Sequence, residues 1–167
     1  MTFHKPKDPR VIGKDGKPKA PKHYENALRT ENKEVLDKPI SPIGGNRLTA
    51  QNIIDIHDDI IAIYGGTKGV LDRGTIEYLV YQLDRRNDIF QTSALVLDII
   101  IAKHPFVDGN KRTAFEVADN LLRYDGLHIH ASEEEVQSIL LKIAKYECTA
   151  KEIEKWLRKR VRPLHLG

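Results

Sequence analysis

An all-α bundle of about six helices behind a flexible N-terminal tail is the fold class this sequence predicts. Three observations carry that prediction. From Leu48 onward apolar residues recur every three or four positions, the period of one helix face. No stretch alternating with the two-residue period of a strand exceeds four residues. Helix-start residues stand ahead of each periodic segment: Thr49, Asp72, Asp88, Ser132 with Glu135, and Thr149 with Glu152.

Each element follows from these signals. Thr49 caps a first helix whose apolar stripe is Ile53, Ile54, Ile56, Ile60, Ile61 and Tyr64, and Gly65-Gly66 stops it in the left-handed conformation open to glycine. Asp72 opens a second helix through Ile76, Leu79, Val80 and Leu83. Asp88 opens a third, apolar nearly all round (Phe90, Ala94, Leu95, Leu97, Ile99, Ile100, Ile101), which predicts a buried central helix. His104-Pro105 ends it, because proline disfavours helical geometry in the residue before it. A fourth helix begins near Gly109 or Asn110 and runs to Gly126, burying Ala114, Phe115, Ala118, Leu121 and Leu122. After a short extended link over Leu127–His130 come two more helices with capping boxes. The fifth buries Val136, Ile139, Leu140 and Ile143; the sixth buries Ile153, Trp156 and Leu157.

The tail reads differently. Residues 1–47 hold eleven Lys/Arg against six Asp/Glu and six of the eight prolines, with one helical turn expected over Tyr24–Leu36. Such composition buries too little apolar surface to offset ordering entropy, so residues 1–45 are expected to be flexible and 46–165 to form the domain. The rest of the chain carries sixteen basic and eighteen acidic residues, so bulk nucleic-acid binding is not expected of it. Cys148 is the only cysteine, which excludes an intrachain disulfide and favours a reducing compartment. No apolar run approaches the roughly 20 residues a membrane helix needs. With no leader pattern visible after Met1, the expectation is a cytoplasmic protein without membrane contact.

The chemistry-bearing segment is His104-Pro105-Phe106-Val107-Asp108-Gly109-Asn110-Lys111-Arg112, set where one helix ends and the next begins. Amide groups at a helix N-terminus lack intrahelical acceptors and carry partial positive charge. Gly109 permits close backbone approach, and Lys111 and Arg112 add two positive charges, which together suit the phosphates of a nucleotide. Asp108 is a hard oxygen donor of the kind Mg2+ takes alongside phosphate oxygens. His104 can accept a proton from a hydroxyl nucleophile near neutral pH. Base, metal ligand and phosphate cradle within one loop make a phosphotransfer set.

This loop resembles the signature of the Fic/Doc family. Ile56-His57-Asp58 followed by Tyr64-Gly65-Gly66 is similar to the first helix and turn of its Doc-type toxins. The glycine-rich stretch Gly65-Gly66-Thr67-Lys68-Gly69 and onward to Gly74 resembles the family's target-binding flap. The resemblance spans roughly residues 47–160 and implies a Fic/Doc-type helical bundle. It also implies ATP as substrate with Mg2+, His104 as general base, Asp108 as metal ligand, and Gly109, Asn110, Lys111 and Arg112 as the nucleotide-binding residues. Phe106 would support the loop from beneath. Typical adenylyltransferases of the family have glycine where Lys111 stands and a second arginine where Phe115 stands. Both departures are Doc-type features. They imply transfer of the γ-phosphate to a hydroxyl of a translation elongation factor, by a toxin restrained by a cognate antitoxin. Gly109 in place of alanine and Glu116 in place of an amide run the other way and keep adenylylation as the alternative.

Blander readings of the same residues remain open here. Lys111 and Arg112 can be a solvated first helical turn, and His104 a helix-end histidine bonded to backbone. His57-Asp58 can be half of an HD-type metal phosphohydrolase site, although His57 falls in an apolar stripe and reads better as a buried, hydrogen-bonded histidine. His128 and His130 share a face without further ligands, and Cys148 before a helix start is mildly favoured as thiolate without a base beside it. Lys155, Arg158, Lys159, Arg160 and Arg162 read as charges favoured at a helix C-terminus, leaving a non-enzymatic binding module as the remote alternative. Thr30-Glu31-Asn32-Lys33-Glu34 partly matches an inhibitory-helix pattern but ends on Val35 and reads as chance.

Overall fold

The structure, a computed structural model, describes residues 48–164. The tail over 1–45, its turn over Tyr24–Leu36, the Thr30–Glu34 pattern and both domain limits lie outside the described residues. Among the described residues six helices and one small strand pair follow in order: α1 (Ala50–Tyr64), α2 (Arg73–Asp84), α3 (Ile89–Lys103), α4 (Asn110–Tyr124), β1 (Leu127–Ile129), α5 (Glu133–Ala144), α6 (Ala150–Arg160) and β2 (Val161–Pro163). The all-α class holds.

The predicted caps are in place because each is a local exchange of hydrogen bonds. Thr49, Ser132 and Thr149 accept from the amide three residues on, and Asn52, Glu135 and Glu152 return the bond. Asp72 and Asp88 cap α2 and α3 with their carboxylates. Gly65 ends α1 at φ 84°, ψ 175°, a region that only glycine enters freely and not the left-handed helical conformation expected.

α3 is the central helix, packed against α2, α4, α5 and α6. Its centrality follows from a surface that is apolar on nearly every side and therefore has to be covered on every side. α4 is buried as deeply, which the sequence did not announce: residues Asn110 to Leu122 are all buried, seven of them polar or charged. Buried polar groups need partners. Asp119 supplies one such link, accepting from the Ile129 amide at 2.9 Å and from Arg123 Nε at 2.7 Å.

At the C-terminal end one expectation is refined and another corrected: the link is extended as expected but pairs into a sheet. Leu127–Ile129 is a strand, antiparallel to Val161–Pro163, in the register Leu127 opposite Pro163 and Ile129 opposite Val161. A three-residue strand whose partner lies more than thirty residues on has no local signature. Arg162 is therefore a strand residue and not part of a helical cationic end. Arg158 and Arg160 do more than complement a dipole. Arg158 Nη2 reaches Asp88 at 2.7 Å, and Arg160 Nε reaches Glu135 at 2.8 Å, tying α6 to the starts of α3 and α5.

Candidate active site

The loop between α3 and α4 is built from the inside out. His104 keeps its amide bonded to Ile100 O at 3.2 Å but takes φ 51°, ψ 59°, the left-handed conformation, and not the extended one favoured before proline. The chain thus reverses at once, and Pro105 O accepts from the Leu71 and Asp72 amides at 2.7 and 3.1 Å. A non-glycine residue held at positive φ is uncommon and concentrates at functional sites. Phe106 points inward, 1% exposed, under the loop as expected. Asn110 clamps it: Phe106 N–H donates to Asn110 Oδ1 at 3.0 Å, and Asn110 Nδ2 donates to Phe106 O at 2.9 Å. The Asn110 side chain is thus committed to the loop, which leaves its backbone at the helix N-terminus as the part facing a ligand.

Asp108 holds the next turn. Its Oδ1 accepts from the Gly109 amide at 3.0 Å and its Oδ2 from the Thr67 amide at 3.2 Å. A carboxylate has roughly four lone-pair directions, so both oxygens retain acceptor capacity for a cation. No cluster of three or more His, Cys, Asp or Glu side chains forms a ready-made cage among the described residues. A single carboxylate beside a helix N-terminus is a donor set that fits Mg2+, which is held by one or two carboxylates and keeps several waters. Gly109, at φ 75°, forms the N-cap position of α4, and no side chain caps that helix.

Lys111 and Arg112 are 4% and 3% exposed, which rules out the solvated-face reading. Burial lowers the Lys111 pKa. The Arg112 guanidinium lies 4.9 Å from the centre of the Tyr64 ring, a cation–π contact that ties α4 to the end of α1. His104 opens to solvent, yet partial desolvation, to which the Lys111 ammonium adds a smaller effect, holds its pKa below the ordinary histidine value. Its imidazole is accordingly neutral at neutral pH, the form a general base requires.

The glycine-rich stretch lies against this loop. Val70 and Phe106 form an antiparallel bridge, and Val107 N–H donates to Gly69 O at 3.0 Å. Gly65, Gly66, Thr67, Lys68 and Gly69 therefore run beside Asp108, with Lys68 Nζ 4.0 Å from Asp58. A Cβ on Gly66, whose φ is +120°, would stand 2.7 Å from Asp108 Oδ2. Gly66→Ala is expected to push the flap off Asp108 and to cost roughly 1–3 kcal/mol from the backbone conformation alone. A lower urea midpoint at unchanged m-value is the measurement.

His57 lies in the apolar face of α1, fully buried, and bonds through Nε2 to Asp108 O at 2.7 Å. Desolvation lowers its pKa despite that bond and the neighbouring Asp58, so it is neutral. Its role as a buried, hydrogen-bonded histidine stands; its connection to the loop 51 residues on was not visible in the sequence. The His128 and His130 rings meet edge to face with centroids 5.8 Å apart, and the His130 N–H donates to Arg160 O at 2.7 Å. Cys148 runs against the thiolate reading: burial, then the Glu152 carboxylate, raises its pKa. Of the residues singled out, His57, Gly65–Gly69, His104, Phe106 and Asp108–Arg112 converge on one loop, while His128, His130 and Cys148 do not.

Two comparisons with known proteins bear on this loop. A sequence profile of the Fic/DOC family matches residues 47–122, which takes in α1, the flap, α3, the loop and nearly all of α4. The protein kinase doc of Escherichia phage P1 is 33% identical over 93 residues, covering 52% of this chain and 74% of that protein. The helical frame, the glycine-rich flap and the loop that joins them are thus one inherited unit, and the chain belongs to the Fic/Doc family.

Proposed function

We propose that this protein is a Doc-like toxin that transfers the γ-phosphate of ATP to a hydroxyl group of a protein. The observation that carries the reading is the uncapped N-terminus of α4, bordered by Asp108, by the buried cations Lys111 and Arg112, and by the neutral imidazole of His104 on the same loop. The roles follow from chemistry. His104 removes the proton from the acceptor hydroxyl as its oxygen forms a bond to the γ-phosphorus, and the bond from that phosphorus to the β-phosphate oxygen breaks to release ADP. Lys111, Arg112 and the first-turn amides of α4, Asn110 among them, hold the phosphate oxygens, and Gly109 lets those oxygens approach the backbone. Asp108 would hold Mg2+, which when bound neutralises charge shared between the phosphates. The flap Gly65–Gly69 would align the acceptor segment beside the loop.

The kinase reading is supported over adenylylation by two positions. Lys111 fills space that a glycine leaves open in typical adenylyltransferases, and Phe115, at 4% exposure, is a core residue where they carry a second arginine. The phage P1 relative is a protein kinase, which agrees. The acceptor we propose is a translation elongation factor, and the restraint a cognate antitoxin whose disordered segment folds on binding. No described helix is long and apolar enough to cross a membrane.

The test is transfer of label to lysate proteins from ATP labelled at either the α- or the γ-phosphate. Label from γ alone is the expected result. Label from α would replace the reading with adenylylation, and His104-independent label, or none, would remove ATP-driven transfer.

A further inference from the structure

We infer that His57 is a positioning residue that sets the orientation of the Asp108–Gly109 peptide and thereby aims both the Asp108 carboxylate and the N-terminus of α4. For its bearing on catalysis the inference rests on the phosphotransfer reading above; its geometric part does not.

The argument begins with burial. An imidazole with no exposed surface, set in an apolar helix face, is costly unless its polar atoms are bonded. The 2.7 Å contact is to a main-chain carbonyl, which only accepts, so Nε2 must carry the proton. Nδ1 then holds the lone pair; it has no hydrogen-bond partner, and the Asp58 carboxylate at 3.7 Å is beyond hydrogen-bonding reach. One donor and one acceptor therefore define the tautomer, and the loop is what defines it.

The same ring lies flat on Phe106, with centroids 3.8 Å apart and planes 6° from parallel. A single side chain of α1 thus touches the loop at two points, by its face at Phe106 and by its edge at Asp108. Between those points the loop has few remaining ways to turn, because Asn110 already fixes both polar groups of Phe106. In a trans peptide the C=O and the following N–H point in opposite directions. Drawing Asp108 O toward His57 therefore turns the Gly109 N–H away from α1 and toward Asp108 Oδ1, where it is found at 3.0 Å. That bond in turn fixes the carboxylate whose Oδ2 meets the flap at Thr67.

Gly109 is the matching half of the contact. A Cβ there would stand 3.2 Å from Ile61 Cδ1 and 3.7 Å from His57 Nε2, in a conformation (φ +75°) that side chains rarely adopt. The glycine that opens α4 to phosphate thus also lets α1 come close enough for the bond. Outer-shell groups that orient a metal-binding carboxylate typically change affinity or activity by about 10–100-fold when removed.

Three measurements test the assignment, two of them without any ligand. In the unmodified protein, 15N spectra of His57 are expected to show a protonated Nε2 and a bare Nδ1; the opposite tautomer would overturn the proposal. His57→Phe keeps a ring over Phe106 and removes the donor, while His57→Gln returns an N–H at similar reach without the ring. Amide exchange at Phe106, Val107 and Thr113 is expected to rise about tenfold or more in His57→Phe at unchanged exchange in α3, with His57→Gln partly restoring it. Equal exchange at the loop in all three proteins would defeat the assignment, and so would a global rise in both variants with the tautomer reversed. Titration with Mg2+ and a non-hydrolysable ATP analogue then reads the consequence: binding about 10–100-fold weaker in His57→Phe, recovered in His57→Gln, at similar Tm. If the unmodified protein binds no nucleotide while the loop exchange still follows the donor, the positioning role stands and the phosphotransfer reading is the part that fails.

Discussion

His104→Ala is expected to lower phosphoryl transfer by about 10²–10⁴-fold, the range over which a positioned general base contributes, while leaving the fold intact. His104 is exposed at the C-terminal end of α3, and its hydrogen bond there is made by the backbone amide, which alanine retains. The unfolding midpoint therefore moves little apart from the difference in tolerance of positive φ, and Mg2+–nucleotide binding persists. The pH profile carries a second expectation. The base works only when neutral, and partial desolvation together with Lys111 lowers the His104 pKa. The rate thus stays on its plateau as pH falls through the ordinary histidine range near 6.5 and declines only below it. Steady-state transfer across pH, in the unmodified protein and in His104→Ala, measures both. An acid limb beginning above the ordinary value would refute the neutral-base assignment, and so would a variant that retains full rate.

Asn110→Ala is expected to have the largest effect on stability among the loop residues, roughly 2–5 kcal/mol. Both ends of the clamp are buried, with Asn110 at 6% and Phe106 at 1% exposure. Alanine leaves the Phe106 N–H and C=O without their partners, and each unsatisfied buried polar group costs about 1–3 kcal/mol. Asn110→Asp separates the two bonds. It keeps an acceptor for the Phe106 amide at 3.0 Å but sets a carboxylate oxygen against the Phe106 carbonyl, where the asparagine donates at 2.9 Å. It is therefore expected to destabilise about as much as alanine does, because a buried charge facing a carbonyl adds to the lost bond. Urea unfolding with m-values gives the answer. A change below about 0.5 kcal/mol, the range of an ordinary surface substitution, would show that the clamp is not holding the loop.

These two residues also show how far the sequence carries. His104 stands out as a candidate in the sequence, because its neighbours Pro105, Asp108 and Gly109 set a candidate base, a turn and a helix start within one short segment. Asn110 was identified as a phosphate contact, but its side chain turned out to grip Phe106. The residue type allows either role, since an amide bonds as readily to a peptide group as to phosphate. Only the inward path of the loop selects between them. The same holds for Lys111 and Arg112, whose identity as cations is plain and whose burial is not.

What the sequence determined by itself was the set of interactions that close within a few residues. Helix periodicity, the capping boxes at Thr49, Ser132 and Thr149, the carboxylate caps at Asp72 and Asp88, and the stop at His104-Pro105 are all of that kind. The loop motif belongs with them, because its catalytic and phosphate-binding candidates are contiguous. Tertiary structure alone decided the pairings between distant segments. These are the strand Leu127–Ile129 against Val161–Pro163, the burial of polar α4 beside apolar α3, the flap lying along Asp108, and His57 bonded to a carbonyl 51 residues away. The physical reason is one of range: a cap or a helical stripe closes over three or four residues and so leaves a period or spacing in the chain, whereas a contact between distant segments is fixed only when the packed core brings them together.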